Sequence, residues 1–240
     1  MCAKKSMPNI KYAFKSLFKQ NFKNFELIVC YDNSEDDGTE EFLLQNKDKI
    51  KLLLKLNNKG IYRCLNACIL KSKGEIIGLL HSDDEFYDKN VLKNVSNFFK
   101  KKKTDMSYSN INYVSKSNKN KIIRRWKAGK FSKNLIDYGW MPPHTSIFIK
   151  SKIAKKNLYK TNYTISADYD WILRIIKKEN KINYLNITTT NMKLGGISNK
   201  NINYIIKKMY EDFIILKKNK INFPMLALAL KNLRKIVQFF

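Results

Sequence analysis

Residues 78–86 read GLLHSDDEF and place a pair of carboxylates directly after an apolar segment. The run Glu75 to Leu80 has the composition of a buried strand, and Asp83 and Asp84 follow it closely. Adjacent carboxylates repel each other unless positive charge lies beside them. A divalent cation with oxygen ligands is the usual partner, and it completes its shell with substrate phosphates. The pattern therefore favours a metal-assisted site for a diphosphate substrate; the alternative is an acidic turn that caps a helix beginning near Asp88.

A second apolar segment also ends in a carboxylate. Residues 25–32 read FELIVCYD and lead into the polar turn NSEDDGT. The Asp-Gly pair at 37–38 is a turn signal, and Thr39 can cap a helix that opens with two glutamates. Two strands with acidic loops at their carboxyl ends indicate one crevice along a parallel sheet, which is where open α/β sheets bind ligands.

Strand-like and helix-like patterns alternate along the first half of the chain. Apolar periodicity predicts helices at residues 10–18, 40–46, 61–71 and 90–100, and strands at 25–31, 51–56, 75–80, 106–114 and 121–126. The apolar run at 51–56 is dense enough to predict a buried strand. This alternation predicts an α/β fold with a mostly parallel central sheet flanked by helices.

Four blocks of the sequence resemble motifs of the family 2 glycosyltransferases. Residues 32–39 (DNSEDDGT) resemble D-x-S-x-D-G-T, 60–66 (GIYRCLN) resemble G-I-Y-D-A-M-N, 73–84 (KGEIIGLLHSDD) resemble G-(D/E)-I-I-x-x-L-x-S-D-D, and 167–174 (ADYDWILR) resemble E-D-Y-D-x-x-x-R. They follow the family's order. The resemblance implies a GT-A fold and an inverting, metal-dependent transfer of sugar from a nucleotide-diphosphate donor to a hydroxyl acceptor in cell-surface glycan or polysaccharide synthesis.

The resemblance also implies a set of donor-side residues. Asp84 would hold a divalent metal, Mg²⁺ or Mn²⁺, and Asp83 would orient the sugar or ribose. Asp32 would accept a hydrogen bond from the N–H of a uracil-like base, unless it only caps the following turn. Arg63 stands where the family commonly has an acid and is expected at the nucleotide-sugar. A UDP-sugar is the implied donor.

The acceptor side is implied by the fourth block and by a proline-rich loop. Asp168 would be the general base at the acceptor hydroxyl, with Asp170 as the alternative base. At helical spacing the two point roughly 200° apart, so one faces the cleft; Asp168 could instead cap its helix. His144 lies in a loop that resembles P-H-Q-(S/T), and Trp171 could stack on sugar, although structural roles are alternatives for both. The acceptor would be a glycan or a lipid-linked glycan.

The N-terminus departs from the family pattern. Members usually begin with a central strand that reads like V-S-I-I-I-P-T-Y-N, whereas this chain opens MCAKKS. We therefore expect this strand to be missing and its neighbours' edges to be unpaired. Two hypotheses follow: an active transferase with a late-assigned start, or a truncated, non-catalytic relative that binds a nucleotide or a partner.

Net charge is +27, with 47 Lys and Arg among 240 residues. A positive charge of this size favours binding to an anionic surface. The alternative explanation is codon usage, because an AT-rich genome enriches its proteins in Lys, Asn and Ile. Nucleic acid is not expected, because the charges are scattered and no binding motif is present. No run of 18 apolar residues and no signal peptide is found. The four cysteines are expected to be reduced thiols in a cytoplasmic protein, which could lie peripherally on the inner face of the cell membrane.

Two regions are predicted. Residues 1–200 form the GT-A-like domain, with the nucleotide-sugar side in its N-terminal half and the acceptor side in its second half; residues 201–240 form a helical extension. The extension contains a helix at 202–218, a break at Pro224 and an apolar-basic helix at 225–240. In the last helix, Lys231, Arg234 and Lys235 would meet lipid headgroups, unless the helix packs on the domain or a partner subunit.

Overall fold

The computed structural model describes residues 1–35, 37–118, 121–178, 181–194 and 202–239. The strands are β1 (Cys2–Ala3), β2 (Ile28–Tyr31), β3 (Leu52–Lys55), β4 (Ile76–Gly78), β5 (Glu85–Phe86), β6 (Met106–Val114), β7 (Ile122–Trp126), β8 (Phe148–Lys150) and β9 (Ile182–Lys193). The helices are α1 (Asn9–Phe18), α2 (Thr39–Gln45), α3 (Ile61–Lys71), α4 (Val91–Lys102), α5 (Ser151–Lys156), α6 (Ala167–Lys177), α7 (Ile202–Lys218) and α8 (Pro224–Leu233).

The strands form two sheets. The first is parallel, in the order β1-β2-β3, and the second runs β4-β8-β6-β9-β5 with β7 on β6. In the second sheet β6 and β9 pair in parallel, while the other pairs in the described ranges are antiparallel. The predicted α/β fold is confirmed. The parallel arrangement covers only the first half, because β4 pairs with β8 from the second half of the chain.

The first strand is present in short form, which corrects the expectation that it is missing. Cys2 and Ala3 pair in parallel with Cys30 and Tyr31, and the Met1 ammonium donates to the carbonyl oxygen of Ile28 at 2.8 Å. The inner edge of β2 is therefore paired, over two residues.

Amphipathic patterns located most elements correctly. Helices α3 and α7 and strand β6 have the predicted bounds. Of the apolar stripe expected on α1, Ile10, Phe14 and Leu17 are buried and Phe18 is half-buried. Strand β3 differs: it is half-buried rather than buried, because it is the outer strand of the first sheet. The predicted cap of α2 also differs, since Asp37 accepts the N–H of Thr39 at 3.1 Å and Thr39 is the first helical residue.

Helices α7 and α8 pack into the larger apolar core. Ile215 and Leu216 of α7 and Ala227 and Leu228 of α8 join the cluster that contains β6 and α6 residues. The boundary at residue 200 stays a prediction. Within the described ranges, no helix combines the length and the apolar composition needed to cross a bilayer.

Lys231 does not lie at a headgroup position, which corrects the sequence-based expectation. Its side chain is buried, and its Nζ lies 2.7 Å from the Asp212 carboxylate and 3.4 Å from the centroid of the Tyr169 ring. The reason is the orientation of α8, whose face with Ala227, Leu228 and Lys231 packs inward. The predicted 225–240 helix also ends earlier, at Leu233.

Gly139 allows this close approach of α8. Its φ is +72°, and a Cβ there would lie 2.1 Å from the Ala227 carbonyl oxygen and 2.8 Å from the Lys231 backbone nitrogen. Because these are backbone atoms of a packed helix, any side chain at residue 139 must displace α8.

We expect Gly139→Ala to lower the free energy of unfolding by about 3 kcal/mol or more in urea denaturation, because overpacking adds to the backbone strain. Gly129→Ala is the matched control: Gly129 has φ +71° and nothing within 4 Å of the added Cβ. It should show the backbone strain alone, about 1–2 kcal/mol. Equal losses in the two variants would contradict the described docking of α8.

Candidate functional site

The loops that follow the first four strands meet at one edge of the fold. The hydroxyls of Ser6, after β1, and Ser82, after β4, are hydrogen-bonded at 2.8 Å. The N–H of Asn58, after β3, donates to the carboxylate of Asp32, after β2, at 2.9 Å. The structure therefore brings the two predicted acidic loops to a common edge.

Asp32 is a buried and fully engaged carboxylate. It accepts the Ser34 N–H at 2.9 Å and the Lys4 ammonium at 3.2 Å, besides the Asn58 N–H. Burial disfavours its charged form, but the hydrogen bonds from Ser34, Asn58 and Lys4 lower the pKa of Asp32 to about 2. Asp32 therefore carries a fixed negative charge. The Lys4 side chain is 44% exposed, so it is the partner that a ligand can displace most easily.

Asp84 has an unsatisfied oxygen. The carboxylate is 2% exposed and accepts the backbone N–H of Lys193, whereas its Oδ2 has no hydrogen-bond partner among the described residues. Burial, followed by the charge of the half-buried Asp83, raises the pKa of Asp84 well above its ordinary value. A cation or a donor at Oδ2 would offset this cost.

These carboxylates fit a cation that is shared with a substrate. No group of three or more His, Cys, Asp or Glu within the described ranges forms a metal site by itself. Asp84, with or without Asp83, could supply one or two oxygen ligands to such an ion. Magnesium-like ions bound through one or two carboxylates take their remaining ligands from water and substrate phosphates.

Asp168 and Asp170 have different environments. Asp168 is half-buried in the first turn of α6; burial raises its pKa, and the charges of Lys231 and Lys208 oppose that rise. Asp170 is fully buried and is paired with Arg174 at 2.7 Å and Lys160 at 3.3 Å. Asp170 is thus occupied by structural ion pairs, while Asp168 forms no ion pair with the residues that the structure describes. The catalytic role of Asp168 stays a prediction.

A stack of rings borders α6. The Tyr159 ring lies between Trp171, at a centroid distance of 5.0 Å, and Tyr62, at 5.7 Å. His144 Nε2 is 2.8 Å from the Tyr159 hydroxyl. Trp171 is 2% exposed, and its indole N–H has no partner among the described residues. The acceptor-side assignments of His144 and Trp171 stay predictions, and the indole N–H is a donor that a ligand could use.

His81 and His144 are neighbouring imidazoles. Burial and the neighbouring His144, whose ring centroid is 6.0 Å away, lower the pKa of His81 to about 4, while the charges of Asp83 and Asp168 both act to raise it. Burial also lowers the pKa of His144 to about 4. Both imidazoles are therefore neutral at pH 7, and His81 is near enough to Asp83 and to Asp168 for both charges to act on it.

Tyr113 provides a second connection between the two groups. Burial raises its pKa, and the charges of Asp84 and Asp168 add to the effect. The Arg124 guanidinium lies 3.7 Å from the centroid of its ring. Sequence reasoning assigned no role to Tyr113, Tyr62 or Tyr159: no local pattern marks Tyr113 or Tyr159, and Tyr62 belongs to the motif-like block 60–66 without a role of its own. The sequence offered one signal for this part of the site, namely that the chain has only two histidines. The fold places these two side by side.

Two further predictions concern residues outside this group. Arg63, expected at the donor, is exposed on the first turn of α3 and forms no hydrogen bond or ion pair with the described residues. The four cysteines are free and buried. Cys2 and Cys30 are register partners; the Cys2 thiol donates to the Ile61 carbonyl oxygen at 3.9 Å, and the Cys68 thiol donates to the Met1 carbonyl oxygen at 3.8 Å.

Residues 1–152 match the family described as glycosyl transferase family 2. The chain belongs to this family. A Methanocaldococcus jannaschii protein named uncharacterized glycosyltransferase MJ1057 is 25% identical over 73% of the chain, which spans 62% of that relative. The Escherichia coli UDP-Glc:alpha-D-GlcNAc-diphosphoundecaprenol beta-1,3-glucosyltransferase WfaP is 29% identical over 81% of the chain and 76% of its own length.

Solved structures confirm the GT-A fold. Staphylococcus aureus TarS 1-349 in complex with UDP superposes with a TM-score of 0.68 at 16% identity, over 95% of this chain and 66% of that one. The Pyrobaculum calidifontis mannosyltransferase PcManGT in complex with GDP-Man and Mn2+ gives a TM-score of 0.65 at 12% identity, over 96% and 67% of the two chains. The family match ends before α6, so Asp168 and the C-terminal helices lie outside it.

Proposed function

We propose that the chain transfers a sugar from a nucleoside-diphosphate donor, most simply a UDP-sugar, to a hydroxyl group of a growing glycan. The main support is that the charges of donor-side carboxylates and of Asp168 act on the same two residues, His81 and Tyr113, in a family 2 glycosyltransferase fold. Relatives support the donor class: TarS has been solved with UDP and with UDP-GlcNAc.

The donor would bind along the edge formed by the loops after β1 to β4. Asp32 would accept the base N–H when Lys4 moves away from it, and Asp83 would orient the sugar or ribose. Asp84, through its free Oδ2, would hold Mg²⁺ or Mn²⁺ together with the diphosphate. Bound there, the ion would neutralise the charge that develops on the leaving diphosphate.

Asp168 would act as the base on the acceptor side. Its carboxylate would take the proton of the acceptor hydroxyl while the acceptor oxygen bonds to the anomeric carbon. The bond from that carbon to the phosphate oxygen breaks, and its electron pair leaves with the nucleoside diphosphate. Attack opposite the leaving group inverts the anomeric configuration, by analogy with inverting glycoside chemistry. A pKa raised by burial suits this role, because it makes the carboxylate a stronger base.

We further propose that the acceptor is lipid-linked and that the protein binds an anionic membrane surface. Two E. coli relatives act on diphosphoundecaprenol acceptors by name. On α7 and α8, large apolar side chains recur at helical spacing on the exposed face: Ile202, Ile205, Ile206, Met209, Tyr210, Met225, Leu226 and Leu233. Exposed basic residues of α7, namely Lys207, Lys217 and Lys218, and Arg234 directly after α8 suit lipid phosphates.

We expect metal to strengthen nucleotide binding through Asp84. In calorimetry, UDP should bind the parent about tenfold or more tightly with Mn²⁺ than with a chelator, and Asp84→Asn should lose this difference. Asp48→Asn removes a carboxylate from an exposed turn and is the control. Equal affinity of the parent with metal and with chelator would refute the metal role.

We expect Asp168→Asn to reduce transfer by roughly 10²–10⁴-fold with unchanged donor affinity, since loss of a general base affects the transition state. The parent rate should fall with acidification, through a pKa above the usual aspartate value, as Asp168 becomes protonated and can no longer accept a proton. Released nucleoside diphosphate, measured over a panel of donors, reports the reaction.

Asp170→Asn is the contrasting variant. It removes one partner of a buried ion pair, which typically costs about 3–5 kcal/mol of stability, so its defect should appear in unfolding. A dead Asp170 variant that is fully folded, beside an active Asp168 variant, would reverse the assignment. A parent without transfer from any donor would favour the non-catalytic alternative.

We expect the protein to sediment with vesicles of phosphatidylglycerol and phosphatidylcholine, less so at high salt. Ile202→Ser with Ile206→Ser, at positions 73% and 60% exposed, should weaken binding. Leu44→Ser with Leu70→Ser, at positions 52% and 53% exposed on other helices, is the matched control. Equal sedimentation of the two double variants would exclude the α7–α8 surface as the contact.

A further inference from the structure

Glu211 joins the C-terminal helices to the loop that precedes α6. Its side chain is 7% exposed on α7. The carboxylate accepts three consecutive backbone N–H groups, those of Thr164 and Ile165 at 2.9 Å and Ser166 at 2.8 Å. Asp168 follows two residues after this loop, in the first turn of α6.

Glu211 of α7 acts as a cap for the N-terminal end of α6. N–H groups at and just before a helix N-terminus lack partners within the helix, and negative charge is favourable there. Ser166 does not cap α6 with its own side chain. The Glu211 carboxylate satisfies these N–H groups instead, and because both of its oxygens are used it fixes the loop position.

The same loop is tied from the opposite side. The Tyr62 hydroxyl, on α3, donates to the Ile165 carbonyl oxygen at 2.5 Å. Residues 164–166 are therefore held between a helix of the donor half and a helix of the C-terminal segment.

The residue after Glu211 anchors α7 in turn. Asp212 is 1% exposed and pairs with Lys208 at 3.0 Å and with Lys231 of α8 at 2.7 Å. Lys231 lies over the ring of Tyr169, the neighbour of Asp168. Through these contacts the first turn of α6 is packed against both C-terminal helices.

We propose that Glu211 is a positioning residue that sets the Asp168 carboxylate against the acceptor hydroxyl by holding the 164–166 loop. This inference rests on the proposed function and adds to it, since it makes α7 part of the transfer machinery although the family match ends at residue 152. Glu211 itself touches neither donor nor acceptor.

The test is Glu211→Gln in the full chain. Glutamine keeps the volume, but its NH₂ group faces an N–H that the carboxylate accepted, so at least one of the three hydrogen bonds is lost. The expected result is a fall in kcat of about 10- to 100-fold, since small misplacements of reacting groups have effects of this size. The calorimetric affinity for UDP with Mn²⁺ should stay at the parent value. Glu41→Gln, on the exposed face of α2, is the control and should keep the parent kcat.

A second variant and a stability measurement separate positioning from folding. Tyr62→Phe removes the hydrogen bond to the Ile165 carbonyl oxygen and keeps the ring. It should therefore lower kcat without raising the Kd for UDP. Rates are compared at a temperature at which circular dichroism shows that every variant is folded. Hydrogen exchange of the backbone amides of residues 164–166 should be faster in Glu211→Gln than in the parent. A folded Glu211→Gln protein with the parent kcat overturns the inference and leaves the proposed function intact. An inactive parent overturns the proposed function, and the positioning role with it.

Discussion

Negative charge held in the loops after β2 and β4 is the constraint on which the site depends. Asp32, Asp83 and Asp84 lie at strand ends with limited access to water, and each needs compensation. Asp32 obtains it within the protein, from Lys4 and from N–H groups of Ser34 and Asn58. At Asp84 the N–H and the charge of Lys193 act to lower the pKa, but burial outweighs them and Oδ2 has no partner among the described residues. Compensation is therefore more complete at Asp32 than at Asp84.

Local patterns predicted the elements well where the apolar period is regular. The bounds of α3, β6 and α7 could be read from periodicity, because each buries one face against the core. The short strands could not be located in this way. The strands β5 and β8 have two and three residues, and their existence depends on partners distant in sequence, so no local signal distinguishes them from loops.

At the candidate site, too, local patterns were found from the sequence and long-range contacts were not. The acidic loops were found because carboxylates at strand ends form a local pattern, and the family resemblance supplied Asp168. The long-range contacts were missed: Tyr62 with Tyr159, His81 with His144, and Glu211 with the 164–166 loop connect residues that are 97, 63 and 45 to 47 positions apart. The sequence predicted that Lys231 contacts lipid headgroups, because its helix is both basic and apolar. Its burial follows from the ion pair with Asp212, which no local pattern indicates.

The two neutral imidazoles have a consequence for recognition. An uncharged imidazole offers one N–H donor and one lone pair, and the partner of one nitrogen decides the character of the other. The hydroxyl of Tyr159 occupies His144 Nε2, so the direction of that single hydrogen bond determines whether the opposite nitrogen presents a donor or an acceptor. Such a pair of imidazoles would select a binding partner by hydrogen-bond polarity rather than by charge.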